Sequence, residues 1–457
     1  MKSSRTVPLL LVLLDAASVI VCFNLVAWTR GMTEPGTWII AALQLPVAIH
    51  FIGVYLIDGY SARTDMLSLT YTSLHIIAQI GVLLTTLLLT FAFAPVEFSL
   101  KTSRLVTVVS YLAVIPISLS YRRLLYLRTH AHEGPRYFVF LGSPESCLTF
   151  KEECRNHAIS QTVLFATLDS FSRPPMSVGP AAADMPFGDV LEYLDRYAGR
   201  IDAVIVRESN HELPSAVAQR LTQLNFSGVP TYTLELFHQV YWRKIPLYRL
   251  NQTWLFQEGF QIAREPVFER LKRLCDIVLS SLGLLLFAPL LPLIAPLIWL
   301  HDRGPVFFTQ TRVGLNRVLF QVYKLRTMRV AHDGAPYTRH GDARITPIGR
   351  FLRASRLDEA PQLWNVLRGD MSLIGPRAEW VKLVDDYEQK IPCYHFRHLV
   401  KPGITGWAQV NYPYGASLED TMRKLEYDLY YIRFFSFVLD ASIVLKTIHV
   451  MLGGKGR

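Results

Sequence analysis

The chain is short of charge. Only 18% of its 457 residues are Asp, Glu, Lys or Arg, against about 25% in an ordinary soluble domain. With 51% apolar residues and a mean hydropathy of +0.23, that scarcity excludes a disordered chain and argues for an integral membrane protein. Cysteine is sparse as well. Cys22, Cys147, Cys154, Cys275 and Cys393 are scattered, no pair has zinc-ligand spacing, and an odd set is no disulfide framework. They read as free thiols facing a reducing cytoplasm. Glycine is missing where a dinucleotide would need it: Leu141-Gly142-Ser143-Pro144 holds one of the three glycines of GxGxxG, which argues against bound NAD. Acids are the scarcer sign, since 47 Lys+Arg against 37 Asp+Glu leave a net +10.

What is abundant is apolar sequence. Four stretches open the chain, Pro8–Trp28, Thr37–Ile57, His75–Ala94 and Leu105–Ser120, each near the ~20 residues that cross a ~30 Å hydrocarbon core. The first is too long, and followed too soon by another, for a simple cleaved signal peptide. Lys2 and Arg5 precede the set, and Arg122, Arg123, Arg128 and Arg136 follow it. The positive-inside bias therefore puts both ends of a four-helix transmembrane bundle, residues 1–130, in the cytoplasm. Asp15 inside the first span reads as a bundle-facing polar contact rather than a functional carboxylate.

Residues 136–256 turn soluble. Short apolar runs at Tyr137–Leu141, Thr162–Thr167, Ile201–Val206 and Val229–Leu234 alternate with helical stretches such as Val190–Ala198 and Ala216–Leu224, the signature of βαβ units. A Rossmann-like cytoplasmic domain without its cofactor motif is the expectation, with Phe171–Pro186 as a surface loop. Residues 265–457 then form an α-rich catalytic domain. It opens on Ile277–Leu300, 24 residues without a charge. Pro289, Pro292 and Pro296 interrupt this stretch, and basic residues flank it on both sides, from Arg264 to Arg273 and from Arg303 to Arg317. A single crossing would place one basic flank outside. A re-entrant helix over 272–300, broken at Ala288-Pro289, keeps both inside. In Met422–Leu452, aromatic and basic residues at helical spacing suit a helix lying among lipid headgroups, with a plain core helix as the competing reading.

The excess charge is concentrated. His301–Arg356 holds Lys324 and ten arginines against Asp302, Asp333 and Asp342, a net +8. Such a field suits anionic headgroups or a phosphorylated substrate; nucleic acid fits poorly beside a membrane hairpin. Two carboxylates follow, Asp358-Glu359, just before Pro361 and an apolar helical pattern. The spacing places them at a helix N-terminus, where the dipole favours anions. Adjacent helical residues diverge by about 100° and share no face. On spacing alone the pair could simply cap the helix, but beside the basic window different roles are the expectation, one a nucleophile or metal ligand, the other a base or orienting group. Arg353, Asp370 and Arg377 flank the pair, and Lys401–Gln409 forms a second Gly/Pro loop whose Trp407 is either a stacking platform for a base or part of a packed turn.

These residues carry a resemblance. Gly304-Pro-Val-Phe-Phe308, Gln310-Thr-Arg-Val-Gly314, Tyr323-Lys-Leu-Arg-Thr-Met328, Leu357-Asp-Glu-Ala-Pro-Gln362, Gly369–Arg377 and Lys401–Asn411, in that order, resemble the bacterial sugar transferase domain of the large monotopic phosphoglycosyl transferases. Tyr412–Ser417 and Tyr427–Ile432 look most like the exopolysaccharide-associated branch. The resemblance implies transfer of sugar-1-phosphate from a UDP-sugar to polyprenyl (undecaprenyl) phosphate, with release of UMP, at the cytoplasmic face of the bacterial inner membrane. It further implies an aspartyl-phosphosugar intermediate on Asp358, with Glu359 either assisting at a Mg²⁺ that both would ligate or activating the lipid phosphate. Lys324, Arg326, Arg353, Asp370, Arg377 and Gln409 are its expected substrate and phosphate contacts, and a homodimer its expected assembly. Two departures stand out: Ala288-Pro289 replaces the usual Ser-Pro at the helix break, and Arg356 stands where the family often has Ser. The rivals are a membrane-tethered nucleotide-sugar dehydratase or epimerase, which would need GxxGxxG and Tyr-x-x-x-Lys in the middle domain, and a non-catalytic scaffold of a glycan-assembly complex.

Overall fold

The computed structural model of the chain describes residues 6–34, 36–61, 64–93, 104–130, 136–156, 161–166, 187–207, 213–247, 266–329, 344–412, 415 and 417–452. The loop expected at Phe171–Pro186, and Asp333, Arg339 and Asp342 of the basic window, lie outside them. The chain forms two compact units, one from Met1–Glu133 with Ser436–Lys455, the other chiefly from Gly134–Phe435.

The first unit contains α1 (Thr6–Thr29), α2 (Gln44–Leu56), α3 (Leu69–Phe93) and α4 (Arg104–His130). Val7–Thr29, Thr70–Thr90 and Arg104–Thr129 are long and apolar enough to cross a membrane. The second expected span is shorter than predicted. Its apolar run is split into a single 3-10 turn, Ala41–Leu43, and the 13-residue α2, about 20 Å of α-helix. Pro46 explains the late start, because proline is tolerated only in a helix's first turn. Asp15 is fully buried and faces the bundle, as expected. Tyr60 donates to it at 2.6 Å, Arg122 and Tyr121 also bind it, and His50 Nε2 lies 3.3 Å away. Arg122, itself fully buried, also reaches the Gly59 carbonyl. A charge at this depth is tolerable only when paired in this way.

The second unit begins with a five-stranded parallel sheet of order β3-β2-β1-β4-β5, built from β1 (Tyr137–Leu141), β2 (Thr162–Ala166), β3 (Phe187–Gly188), β4 (Ile201–Val206) and β5 (Thr231–Thr233). Helices α5 (Pro144–Asn156), α6 (Val190–Arg196) and α7 (Ser215–Phe226) alternate with the strands. Both faces of the sheet are covered. Phe138 and Phe140 pack with Phe150 and Phe237, while Val139 and Leu141 pack with Leu194 and Leu221. This two-sided burial is why these strands read as unbroken apolar runs. A short helix, α8 (Leu234–Phe237), and a π turn, His238–Trp242, close the region.

The uncharged stretch forms α9 (Pro266–Phe287), a 3-10 turn at Ala288–Leu290, and α10 (Leu291–Asp302). No side chain caps the turn, as Ala288 in place of Ser requires. Both flanks of this helix pair fasten to the same domain. On the first, Arg273 donates to the Val366 and Leu367 carbonyls at 2.6 and 2.7 Å, and Asp276 accepts from Ser372 Oγ and the Leu373 amide. On the second, the Arg326 amide donates to Val306 at 2.9 Å, and its buried guanidinium fills the space that a side chain at Gly304 would need. Between the flanks, Phe287, Ile294 and Ile298 bury against Leu325 and Leu352, while Leu285, Leu286, Leu293, Leu297 and Leu300 stay exposed.

The rest comprises an antiparallel hairpin, β6 (Phe307–Val313) and β7 (Leu319–Leu325), then α11 (Pro347–Ala354), α12 (Gln362–Arg368), β8 (Ser372–Ile374), α13 (Val381–Lys390), β9 (Gly403–Thr405), α14 (Trp407–Asn411) and α15 (Leu418–Arg433). The headgroup helix expected over Met422–Leu452 is corrected by two helices with different surroundings. In α15, Leu425, Tyr427, Leu429, Tyr431 and Ile432 are buried core. The last helix, α16 (Phe437–Leu452), belongs to the first unit and packs against α3. The aromatic side chains lead inward here, because α15 has protein on several sides.

Candidate active site

The carboxylate pair sits on a one-turn 3-10 segment, Leu357–Glu359, between α11 and α12. Helix α11 starts at Thr346, whose hydroxyl accepts from the Gly349 amide at 3.0 Å, and Pro347 pre-sets its first turn. The chain then swings through Arg356, at φ 59. A positive φ is uncommon for a side chain of this size. Pro361 has no N–H to give, so α12 begins only at Gln362 and ends at Gly369, φ 98. The pair therefore lies one turn ahead of the α-helix rather than inside its first turn.

Strand β7 brings the first cation. Successive side chains alternate across a strand, so Leu325 packs against the helix pair while Lys324 points to the carboxylates. Lys324 Nζ donates to Glu359 Oε1 at 2.7 Å, Arg377 Nη2 lies 3.5 Å from the same oxygen, and Arg356 Nη1 lies 3.9 Å from Oε2. Burial alone would raise the Glu359 carboxyl; Lys324 and then Arg377 overcome it and hold it down at about 2. Burial, and next the Arg377 charge, pull the Lys324 ammonium below its ordinary range.

Asp358 is treated differently. Its Oδ1 is buried and has no hydrogen-bond partner. Burial, and next the charge on Glu359, raise its carboxyl above the ordinary range, while Lys324, Arg353 and Arg356 pull the other way. The two adjacent carboxylates thus have different surroundings: Glu359 is an anion tied to cations, and Asp358 Oδ1 is buried without a hydrogen-bond partner.

The other predicted residues divide. Arg353 Nε donates to Thr327 Oγ1 at 2.9 Å, and its charge is felt at Asp358. Arg326 is buried against Ile298 and Gly304 at the base of the helix pair. Asp370 accepts from Asn365 and lies 3.6 Å from Arg368 Nε, past the far end of α12. Gln409 turns back to donate to the Ile404 carbonyl at 2.9 Å. Trp407 is a packed-turn residue: it is buried, donates to the Arg243 carbonyl at 2.8 Å and stacks on Tyr430. Arg356 was given no role from the sequence, yet it reaches Glu359; its spacing of three residues was the available signal. Thr327, inside the Tyr323–Met328 motif, was also missed.

Among the described residues no cluster of three or more His, Cys, Asp and Glu could hold a metal ion. The described residues of the site therefore form no protein-only cage. Two neighbouring carboxylates, one with an unpartnered oxygen, do fit a Mg²⁺ that arrives with substrate phosphates.

Residues 267–454 match the family model described as bacterial sugar transferase. Over 292 residues, 61% of this chain and 68% of the relative, the sequence is 37% identical to the UDP-N-acetylgalactosamine-undecaprenyl-phosphate N-acetylgalactosaminephosphotransferase of Aeromonas hydrophila. The chain belongs to the bacterial sugar transferase family. Within that family it is also 46% identical, over 39% of each chain, to the UDP-glucose:undecaprenyl-phosphate glucose-1-phosphate transferase of Escherichia coli K12. It is 42% identical to the exopolysaccharide production protein PSS of Rhizobium leguminosarum bv. phaseoli, over 41% of this chain and 98% of that one. The bacterial sugar transferase match covers every site element from Lys324 to Arg377. The chain is thus a transferase, and its apolar helices make it a membrane protein.

Proposed function

We propose that this transferase moves sugar-1-phosphate from a UDP-sugar to undecaprenyl phosphate through a covalent intermediate on Asp358. The observation that carries the reading is the buried, unpartnered Asp358 Oδ1 beside a Glu359 already tied to Lys324 and Arg377. In the first step an Asp358 oxygen attacks the β-phosphorus. The bond from that phosphorus to the bridging oxygen breaks, and UMP leaves with the electron pair. In the second, an oxygen of the lipid phosphate attacks the same phosphorus, the aspartyl bond breaks, and the carboxylate is regenerated as the polyprenyl-diphosphate sugar departs. One phosphate site thereby serves a soluble donor and a lipid acceptor in turn. Lys324, Arg377 and Arg353 surround the transferring oxygens with positive charge. Asp358 and Glu359 would hold Mg²⁺, which neutralises the diphosphate. The names of the relatives support both substrates, and a role in exopolysaccharide assembly, at the cytoplasmic face of the inner membrane and as a homodimer, belongs to the same reading.

The test is acid-quench trapping: purified chain, a panel of UDP-sugars labelled in the β-phosphate, and no lipid. Label bound to protein and discharged by undecaprenyl phosphate supports the mechanism. An active chain that never carries label sinks it.

A second expectation concerns pH. Asp358 must be ionised to attack, and its carboxyl lies above the ordinary aspartate value of 3.8. Hence kcat/KM for the donor should fall on acidification with an apparent pKa above 3.8, and a pH–rate profile checks it.

The same reading makes α9 and α10 a re-entrant hairpin. Its support is that Arg273 on one flank and Arg326 beyond the other fasten to one domain. The strand order of the parallel sheet supports a Rossmann-like middle domain in the same way. A cysteine placed at Thr309 should react with an impermeant thiol reagent only after the cytoplasmic face is opened; labelling from the periplasm alone would overturn the hairpin.

A further inference from the structure

Arg377 reaches the site from a segment with little freedom of its own. Four consecutive carbonyls of that segment each accept a bond, from donors on three other elements. The Gly403 amide donates to Pro376 at 2.9 Å, Arg397 Nη2 to Arg377 at 3.0 Å, Arg312 Nη1 to Ala378 at 2.8 Å and the Val313 amide to Glu379 at 3.1 Å. Two of these donors belong to β6, one to β9 and one to the 3-10 segment Tyr394–Leu399. Arg397 is the one that holds the carbonyl of Arg377 itself.

We propose that Arg397, braced by Asp428, is a positioning residue that sets the Arg377 guanidinium against Glu359. Both side chains of the brace are almost entirely buried. Arg397 Nη2 donates to Asp428 Oδ2 at 3.0 Å, Nη1 donates to the Tyr394 hydroxyl and lies 3.8 Å from Glu379 Oε1. Asp428 sits on α15 and Glu379 two residues beyond Arg377, so one planar guanidinium ties a core helix to the segment that carries the active-site cation. A lysine ammonium could neutralise Asp428, but its point charge lacks the fixed fork that addresses the Arg377 carbonyl, Asp428 and Tyr394 together. Arg397 touches neither Asp358 nor Glu359 in any contact described above; its effect passes through the backbone of Arg377. Small displacements of a positioning group carry large rate penalties, about 100-fold for about 1 Å.

The proposal rests on the reading of Arg377 as a phosphate-site cation, so its test separates the two. The full chain in detergent is assayed with UDP-sugar and undecaprenyl phosphate as wild type, Arg397→Lys, Tyr394→Phe, Arg377→Lys and the double variant Arg377→Lys/Arg397→Lys. Arg397→Lys should lower kcat/KM for the donor about 10- to 100-fold while the thermal midpoint shifts by only a few degrees. Tyr394→Phe, which keeps the ring and removes one brace, should move kcat/KM in the same direction by less. The double variant should be no worse than Arg377→Lys alone. Losses that multiply in the double variant, or that simply follow the thermal midpoint, overturn the proposal. If the wild type turns over no UDP-sugar, the proposed reaction fails on its own. The same four variants are then titrated with UDP. Equal, non-additive weakening by Arg377→Lys and Arg397→Lys sustains the positioning role, and unchanged affinity in Arg397→Lys removes it.

Discussion

Asp358→Asn is expected to abolish transfer, lowering turnover by at least about 10⁴-fold, because removing a nucleophile removes the whole covalent route. The substitution keeps size and shape and replaces a desolvated anion by a neutral amide. Burial raises the Asp358 carboxyl, which means the fold gains nothing from its ionisation. In this direction of shift the ionised form is the costly one as pH rises past the ordinary carboxylate range. Asp358→Asn should therefore fold at least as stably as wild type, with a thermal midpoint equal or slightly higher. Loss of bound label from β-phosphate-labelled donor, in a variant that remains folded, is the decisive pairing. A variant that retains transfer would overturn Asp358 as the nucleophile.

Glu359→Gln should behave in the opposite way. Here the folded carboxyl lies below its ordinary value of 4.5, at about 2. Its ionisation therefore stabilises the fold above the unfolded value, and that contribution is lost as pH falls through about 2. Removing the charge at neutral pH leaves Lys324 buried without its nearest anion, at a cost of about 3 kcal/mol. Activity should drop about 100-fold or more, since the fixed anion that orients Lys324 and Arg377 is gone. The double variant Lys324→Met/Glu359→Gln separates the two effects: stability should return toward wild type while activity stays low. Thermal unfolding and turnover on the same preparations check this. Recovery of both together would make the pair purely structural.

Much of this was legible in the chain, for reasons particular to each element. Tyr137–Leu141 and Ile201–Val206 announce themselves because both faces of their sheet are covered. The carboxylate pair is legible because Pro361 and the basic window frame it. The second span misleads because Pro46 resets a helix that hydropathy alone would continue. Trp407 stays open between a stacking platform and a packed turn, and Gln409 reads as a ligand contact, because a Gly/Pro loop gives no sign of which way its side chains fold. The Arg397–Asp428 pair is invisible in the sequence, since its members stand 31 positions apart on different elements and only the packing of α15 brings them together. The destination of α16 was hidden for the same reason: apolar spacing says that a helix has a partner face, not which partner.

That helix also sets a timetable. The first unit is completed by α16 packing on α3, yet the ribosome delivers α16 roughly 300 residues after α4. At about 5–20 residues per second, the opening helices wait tens of seconds for their last member. During that interval the whole of Gly134–Phe435 is made and can fold. The membrane unit is therefore begun first and closed last, and a chain that stops early leaves it open.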